Sequence, residues 1–556
     1  MYIRRVTRKN KDGSKVAYLQ LAHNEWDPVK KYSRAKVVYS FGREDQLDKA
    51  VLERLVDSIN RYLNPEKAFE AKAQIEQASD FVFESSQTFG GAYALDQLWR
   101  QLGIDRVIKK LLTERNFSID VERHLFAMVA NRALDPSSKL GVANWVENKA
   151  HVPGIEEVNH HNLYRTMDFL LEAQEAVEKE VFNSVANLLN LEVDLIFFDT
   201  TTTYFEVEKH ELNELSEEEL RTLGHSKDKR SDLPQVKVGL AATRDGIPIK
   251  SWLWPGNRTD MSLIKEVKKD LRGWKLGRVI TVLDRGFDSE YNKKELQRAG
   301  GHYIMGSRMR DGSEDVKKAM SKKGRFSKVN EKLEVKEIIV GNGEGRRRYV
   351  LAYNPKQAEY EKNKREEIVK QAEERLKEIK QLPKQKHTKA MCELRSHKVY
   401  GKYIRQLKDG RLKIDRTKIR EEAHYDGKYL IQTSDDTISP EDVALGYKQL
   451  LDIEEAFRTL KTGLKIRPIY HRLEKRIRGH ILICWLALLL VRLAERETDK
   501  TWNRIRDSLE NIHVGRFFSN SGEFKMRTRV TKEQAGILAA MGIEEPPTFV
   551  DIEPNS

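Results

Sequence analysis

The sequence predicts a mixed α/β protein whose sheet core is interrupted by a β-rich insertion and preceded by a helical N-terminal region. Three observations carry that expectation. Between Leu191 and Met309, apolar runs bounded by turn residues alternate with charged helical stretches, in the order three strands, helix, strand, helix, strand. Two of those strands carry carboxylates, Asp199 inside LEVDLIFFDTTTTYFEVE and Asp284 at the end of RVITVLDRGF. Further on, YKQLLDIEEAFRTLK (447–461) sets Tyr447, Glu454 and Lys461 seven residues apart in a helical pattern. Seven residues are almost two helical turns, so the three share a face, flanked by Leu450, Phe457 and Leu460.

The chain's 556 residues bound the reading to several domains with ample length for a core. Lys plus Arg is 100 against 86 Asp plus Glu, a net +14, which favours a polyanionic partner such as nucleic acid or an anionic membrane. Cys392 and Cys484 are the only cysteines, too few for a disulfide framework or a Cys-rich zinc site, and a reducing cytoplasm is the expected home. The apolar run Ile481–Leu490 is too short for a bilayer span, and MYIRRVTRKNKDG lacks the apolar centre of a signal peptide, so no membrane partner is expected.

In order, residues 1–62 alternate polar and apolar positions around a turn at Lys11-Asp12-Gly13 and read as a small β-rich module. Residues 63–190 read as mostly helical and as a possible DNA-binding region. A connector helix is expected over Asn64–Ala78, followed by LDQLWRQLG, VERHLFAMVANRAL and the long run from Asn162 to Asn190. The break at Leu134–Ser138, with Ser137 or Ser138 capping KLGVANWVENK, suits either a helix-turn-helix or two helices that merely pack. His160 and His161 are adjacent rather than at metal spacing, and read as loop or cap residues.

Residues 191–310 form the first part of the core, with a hairpin turning at Arg244-Asp245-Gly246, a cap from Thr259 or Asp260, a turn at Gly286, and Asp288 capping the next helix. Residues 311–439 are the insertion: strands in KLEVKEIIVG, RRRYVLAYN, KVYGKYIRQ, RLKIDRTKI and GKYLIQTS surround one charged helix, which reads as a solvated arm. Residues 440–500 complete the core, and 501–556 read as a tail of short helices with no assigned chemistry.

Strand ends in α/β sheets form clefts, and hard divalent cations prefer oxygen ligands there. Taken singly, an aspartate such as Asp199 is more often a strand-end cap, and Asp284 suits a partner for Arg285 or the start of the turn; only their convergence with Glu454 argues for a metal-dependent phosphodiester chemistry. The runs FFDTTTTYFE and VITVLDRGFDS, with the Tyr-Glu-Lys spacing, resemble DDE transposases of bacterial insertion sequences, in the branch with a Tyr-x-x-Arg-x-x-x-Glu-x-x-x-x-x-x-Lys signature. The resemblance covers about Leu191 to Glu495. It implies a ribonuclease-H-like core, Asp199, Asp284 and Glu454 as catalytic ligands of two Mg²⁺ ions for which Mn²⁺ substitutes, and Tyr447 and Lys461 assisting at DNA phosphates. The signature arginine falls on Leu450, a departure from the pattern.

In that branch a tryptophan of the insertion stacks a flipped base during hairpin formation. This insertion has none, leaving Phe326, Tyr349, Tyr353, Tyr400 or Tyr403 to do so. Beyond Lys461, the bases Lys465, Arg467, Arg472, Lys475, Arg476 and Arg478 suit a phosphate-backbone surface or an ordinary solvated face. The expected activity is cleavage at element ends and strand transfer into target DNA, with double-stranded DNA and a second copy in a synaptic complex as partners. A nuclease that does not join strands, and a catalytically silent DNA-binding derivative, are the alternatives.

Overall fold

The computed structural model describes residues 1–9, 15–28, 31–47, 56, 58–59, 82–113, 115, 117–188, 194–207, 219–272, 274, 279–310, 312–519 and 522–554. The expected turn at Lys11-Asp12-Gly13 and the connector helix Asn64–Ala78 lie outside the described residues. The chain divides into two compact units, residues 1–87, 513–529 and 546–556 in one and 88–512 with 530–545 in the other.

In the first unit β1 (Tyr2–Lys9), β2 (Lys15–Asp27) and β3 (Tyr32–Arg43) pair as an antiparallel meander, the expected β-module. A four-stranded sheet of order β18-β17-β16-β4 unites β4 (Val82–Thr88) with β16 (His513–Ser519), β17 (Gly522–Arg527) and β18 (Phe549–Pro554). The segment expected to be a tail therefore contributes strands that pair with a segment more than four hundred residues earlier, a long-range pairing that no local pattern announces.

The second unit opens with six helices: α1 (Gly90–Gln101), α2 (Ile104–Leu112), α3 (Val121–Leu134), α4 (Lys139–Asn148), α5 (His160–Glu172) and α6 (Gln174–Leu188). Ser138 caps α4, its hydroxyl accepting from the Gly141 amide at 3.1 Å, and Asn159 caps α5 at the paired histidines. All fourteen residues of α3 are buried, so the α3–α4 pair is first of all a packing unit. Its partner is α15 (Glu474–Thr498), which packs on α3, α5 and strand β7 (Pro248–Pro255). By length and composition α15 could cross a membrane, but 89% of its apolar window is buried inside the fold, where it joins the helical layer to the sheet.

That sheet has nine strands in the order β10-β11-β12-β15-β9-β8-β5-β6-β7. Within it β5 (Leu195–Tyr204) has β8 (Ile280–Leu283) and then β9 (His302–Ser307) parallel to it on one side, and on the other side β6 (Gln235–Ala242) antiparallel to it, with β7 antiparallel to β6. Helices α7 (Ile264–Arg272) and α8 (Glu290–Gln297) make the crossovers, giving the expected order of elements. Phe198, Trp252, Trp254, Leu283 and Phe287 fill the core beneath one face, and burying such aromatic surface is the main stabilising term of the unit.

The insertion does not fold apart. Its strands β10 (Ser327–Asn330), β11 (Leu333–Val340), β12 (Arg347–Tyr353) and β15 (Lys428–Thr433) extend the core sheet antiparallel from β9, with Leu430 opposite Ser307. This pairing covers the edge that β9 would otherwise expose. Helix α9 (Glu314–Ser321) lies on these strands. Between β12 and β15 an arm projects, comprising α10 (Pro355–Gln381), α11 (Lys384–Ser396), the hairpin β13 (Ile404–Gln406) and β14 (Leu412–Ile414), and α12 (Arg416–Ala423).

Candidate active site

Strands β5 and β8 are parallel and in register, Phe198 facing Leu283, so the next residues, Asp199 and Asp284, stand side by side where β8 ends. The apolar run LIFF drives β5 into the core, and Asp199 is the first position at which the strand meets the cleft. Beyond Asp284 the chain makes a 3-10 turn over Arg285–Phe287, the Phe287 amide donating to the Asp284 carbonyl at 3.0 Å. Gly286 is not among the left-handed residues, so the turn does not depend on glycine's conformational freedom as the sequence suggested.

The Tyr447 hydroxyl lies 3.1 Å from Asp284 Oδ1 and donates to it. Burial first, then the Asp284 charge, push the phenol above its usual range and keep it a donor. Its ring fits because position 306 of β9 is glycine: a Cβ there would lie 2.1 Å from the Tyr447 hydroxyl oxygen. Asp284, Asp199, Tyr447 and Glu454 all line one cleft of about 230 Å³, with Asn354, Tyr429, Lys332 and Lys448 completing the polar wall. Tyr429 stacks against Tyr447 at 6.1 Å between ring centres.

The helix carrying the signature is not continuous. Helix α13 (Pro440–Lys448) stops at Gln449, α14 (Leu450–Arg458) follows, and a π turn spans Thr459–Gly463, closed by the Leu464 amide on the Thr459 carbonyl at 2.9 Å. The wider turn begins between Glu454 and Lys461, and Lys461 is not among the residues that line the cleft with Tyr447 and Glu454. Its Nζ instead lies 3.0 Å from Asp228 Oδ1, and Arg467 pairs with the same carboxylate. Glu455 forms the expected exposed pair with Arg458 at 3.5 Å. Leu450, at the signature's arginine position, is buried in the cleft wall.

Lys227 is the residue that sequence reasoning missed. Its Nζ sits 3.3 Å from Asp199 Oδ1 and hydrogen-bonds the Thr200 carbonyl. Burial, and then the neighbouring Asp284, push the Asp199 carboxyl up to about 6, against the pull of Lys227. Asp260 is no helix cap: its Oδ1 accepts from Thr200 Oγ1 at 2.8 Å and from Lys237 Nζ at 2.7 Å. The only sequence signal for Lys227 was its position in a polar loop that must return the chain to the sheet.

Among the described residues no three Asp, Glu, His or Cys side chains stand close enough together to hold a metal ion. The all-oxygen donors Asp199 and Asp284 fit a hard cation: they are adjacent and mutually repelling, Asp199 is partly desolvated and Asp284 exposed, and the positive charge beside Asp199 is the Lys227 ammonium. Glu454 joins them as the exposed third wall of the same cleft.

The remaining bases are engaged in several ways. Arg476 pairs with Asp168 of α5 at 2.9 Å and covers the Tyr164 ring, and Arg478 bonds Glu474 at 2.8 Å and the Leu253 carbonyl. Arg472 is exposed, as is Lys475. Of the candidate stacking residues, Tyr349 and Tyr403 are buried, Tyr400 donates to Gln371, and Phe326 packs on Tyr353.

The order β7-β6-β5-β8-β9, three antiparallel strands followed by two parallel ones with carboxylates at their adjoining ends, defines a ribonuclease-H-like core. The transposase DDE domain family matches residues 198–490, more than half of the chain, and the IS1634 family transposase N-terminal domain matches residues 3–71. The chain belongs to the DDE transposases of insertion sequences. No curated protein matches it. Among solved structures, a piggyBac transposase synaptic complex with hairpin DNA is similar at 9% identity and a TM-score of 0.33, over 76% of this chain and 79% of that one.

Proposed function

We propose that this transposase cuts a phosphodiester at each end of its insertion sequence to free a 3′-hydroxyl, and that this hydroxyl then attacks target DNA in line. The observation that supports this reading is the adjacency of Asp199 and Asp284 at neighbouring parallel strand ends, with Glu454 and Tyr447 on the same cleft. Asp199, Asp284 and Glu454 would hold two Mg²⁺ ions, or Mn²⁺ in their place, once Glu454 draws in toward the aspartate pair, and the ions would supply positive charge at the attacking and leaving oxygens.

The chain's own groups prepare the site. Tyr447 holds the Asp284 carboxylate through its hydroxyl, and Lys227 balances the Asp199 charge until substrate enters. Near pH 7 Asp199 is mostly ionised, and the site loses that charge as pH falls through about 6. Tyr447, Lys461, Arg467, Arg472, Arg476 and Arg478 are the proposed DNA contacts. Lys461 and Arg467 would reach a phosphate by exchanging it for the Asp228 carboxylate, a swap of one anion for another. Two copies, one at each element end, would form the synaptic complex in the cytoplasm.

The test is to incubate the purified chain with DNA carrying its element's ends, target DNA and Mg²⁺, and to size the products on a denaturing gel. Cleaved ends together with joined molecules are the expected result. Cleaved ends without joined molecules would mean a nuclease that does not transfer strands, and intact DNA despite binding would mean a silent derivative.

A further inference from the structure

We propose that α11 and the β13–β14 hairpin form a second surface for duplex DNA, separate from the catalytic cleft; this rests on the DNA-acting reading above. Residues 386–413 contain nine Lys and Arg against two acids, Glu393 and Asp409, so they carry +7, half of the whole chain's +14, in a twentieth of its length. The neighbouring helix α10 is close to balanced, with eight bases and seven acids over residues 355–381. The excess is therefore concentrated on one part of the arm.

The scaffold beneath these charges is ordered by its own apolar core, in which Ala372 and Ile379 of α10, Leu394 of α11, and Ile404 and Ile414 of the hairpin meet. Ile404 and Ile414 are cross-strand partners facing that core, so the next pair, Arg405 opposite Lys413, faces solvent. Like charges directly opposite one another destabilise a strand pair. Neither has a carboxylate within ion-pair distance among the described residues, and the same holds for Lys386, Lys389 and Lys398. Arg395 of α11 hydrogen-bonds Gln406 of β13, which joins the helix and hairpin parts of the surface.

A repulsive surface held on a rigid base is relieved by an external polyanion. Among the described residues of 386–413 the one exposed large hydrophobic is Val399, against nine ammonium and guanidinium groups, far short of the apolar face that an interfacial membrane helix needs, which favours a phosphodiester backbone over a lipid surface. No residue of 386–413 lines the catalytic cleft, so this surface holds duplex away from the scissile phosphate.

The test uses the full chain and its K386Q/K389Q/R405Q/K413Q variant, with fluorescence anisotropy on two duplexes, one of random sequence and one carrying an element end. A second variant, K294Q/K500Q/R529Q/K532Q, removes the same charge from exposed positions elsewhere. If the four arm bases each contact a phosphate, the slope of log affinity against log salt becomes shallower by about 3 to 4 on both duplexes, and affinity at about 0.1 M salt drops at least tenfold. Unchanged thermal midpoints would show that the arm remains folded. An unchanged slope, or an equal effect from the control variant, would overturn the proposal. So would loss of binding to phosphatidylserine vesicles with duplex affinity intact. Failure of the wild type to cleave ends, with the slope difference still present, would count against the cut-and-join reading and leave the arm's role standing.

Discussion

Replacing Asp199 with asparagine is expected to stabilise the metal-free protein while abolishing its activity. The folded chain holds the Asp199 proton more tightly than the unfolded chain does, with burial as the first cause, so the carboxyl titrates near 6 instead of 3.8. Between those values the native state binds more protons than the unfolded one; stability therefore falls as pH rises through the window, and the full penalty is present above about 6. Two pKa units correspond to about 3 kcal/mol, an upper figure because 18% of the side chain remains exposed. That shift is already net of the pull of Lys227, so asparagine removes the penalty at every pH, and solvent screening of the partly exposed Asp199–Lys227 pair discounts the figure by about 1 kcal/mol or more. The net expectation is a gain of about 1–2 kcal/mol at pH 7.5 that shrinks toward pH 4. Thermal midpoints in chelator at pH 4.5, 6 and 7.5 measure it, and added Mg²⁺ should raise only the wild type's midpoint, because the variant has lost a ligand. If D199N is less stable than wild type at pH 7.5 in chelator, or if the gap does not widen with pH, the desolvated-carboxylate account is wrong.

Cleavage of element ends is expected with Mg²⁺ or Mn²⁺ and not with Ca²⁺, whose longer and looser coordination places the reacting oxygens poorly; full activity in chelator would sink the two-ion reading. In the scaffold, Glu178 of α6 is fully buried, pairs with Lys250 Nζ at 3.0 Å and accepts from the Ser251 amide and hydroxyl. Glu178→Ala leaves the Lys250 ammonium buried and unpaired, a cost of about 3–5 kcal/mol that urea unfolding should register, whereas Glu178→Met with Lys250→Met should recover much of it.

The strand and helix order from Leu195 to Ser307 was legible because apolar runs bounded by turn residues specify buried strands, and the carboxylates stood out against them. VERHLFAMVANRAL became α3 with the expected bounds. What the sequence hid depends on distant pairing or on local competition. The attachment of β15 to β9 joins Leu430 to Ser307, and nothing local encodes that partner. RLKIDRTKI is strand only to Ile414, because the Asp415 carboxylate accepts from the Thr417 and Lys418 amides and starts a helix instead. Ser289, not Asp288, caps α8, while Asp288 pairs with Lys293 at 2.7 Å. At the site, the seven-residue spacing placed Tyr447 and Glu454 on one cleft but not Lys461, since periodicity assumes a regular α-helix and this one passes into a π turn at Thr459, between Glu454 and Lys461. Lys227 and the glycine seat at Gly306 follow from three-dimensional packing and leave no periodic trace.

The most direct test of the central claim compares Glu454→Gln with Glu455→Gln in end cleavage with Mg²⁺, alongside wild type and D284N. Glu454 lines the cleft with Asp199 and Asp284, whereas Glu455 pairs with Arg458 at the surface. A neutral amide cannot replace an anionic ligand, so Glu454→Gln and D284N should keep the fold and duplex binding and lose cleavage by several orders of magnitude, while Glu455→Gln cleaves like wild type. Cleavage retained by Glu454→Gln and lost by Glu455→Gln would contradict the assignment of the third carboxylate and the cleft built on it.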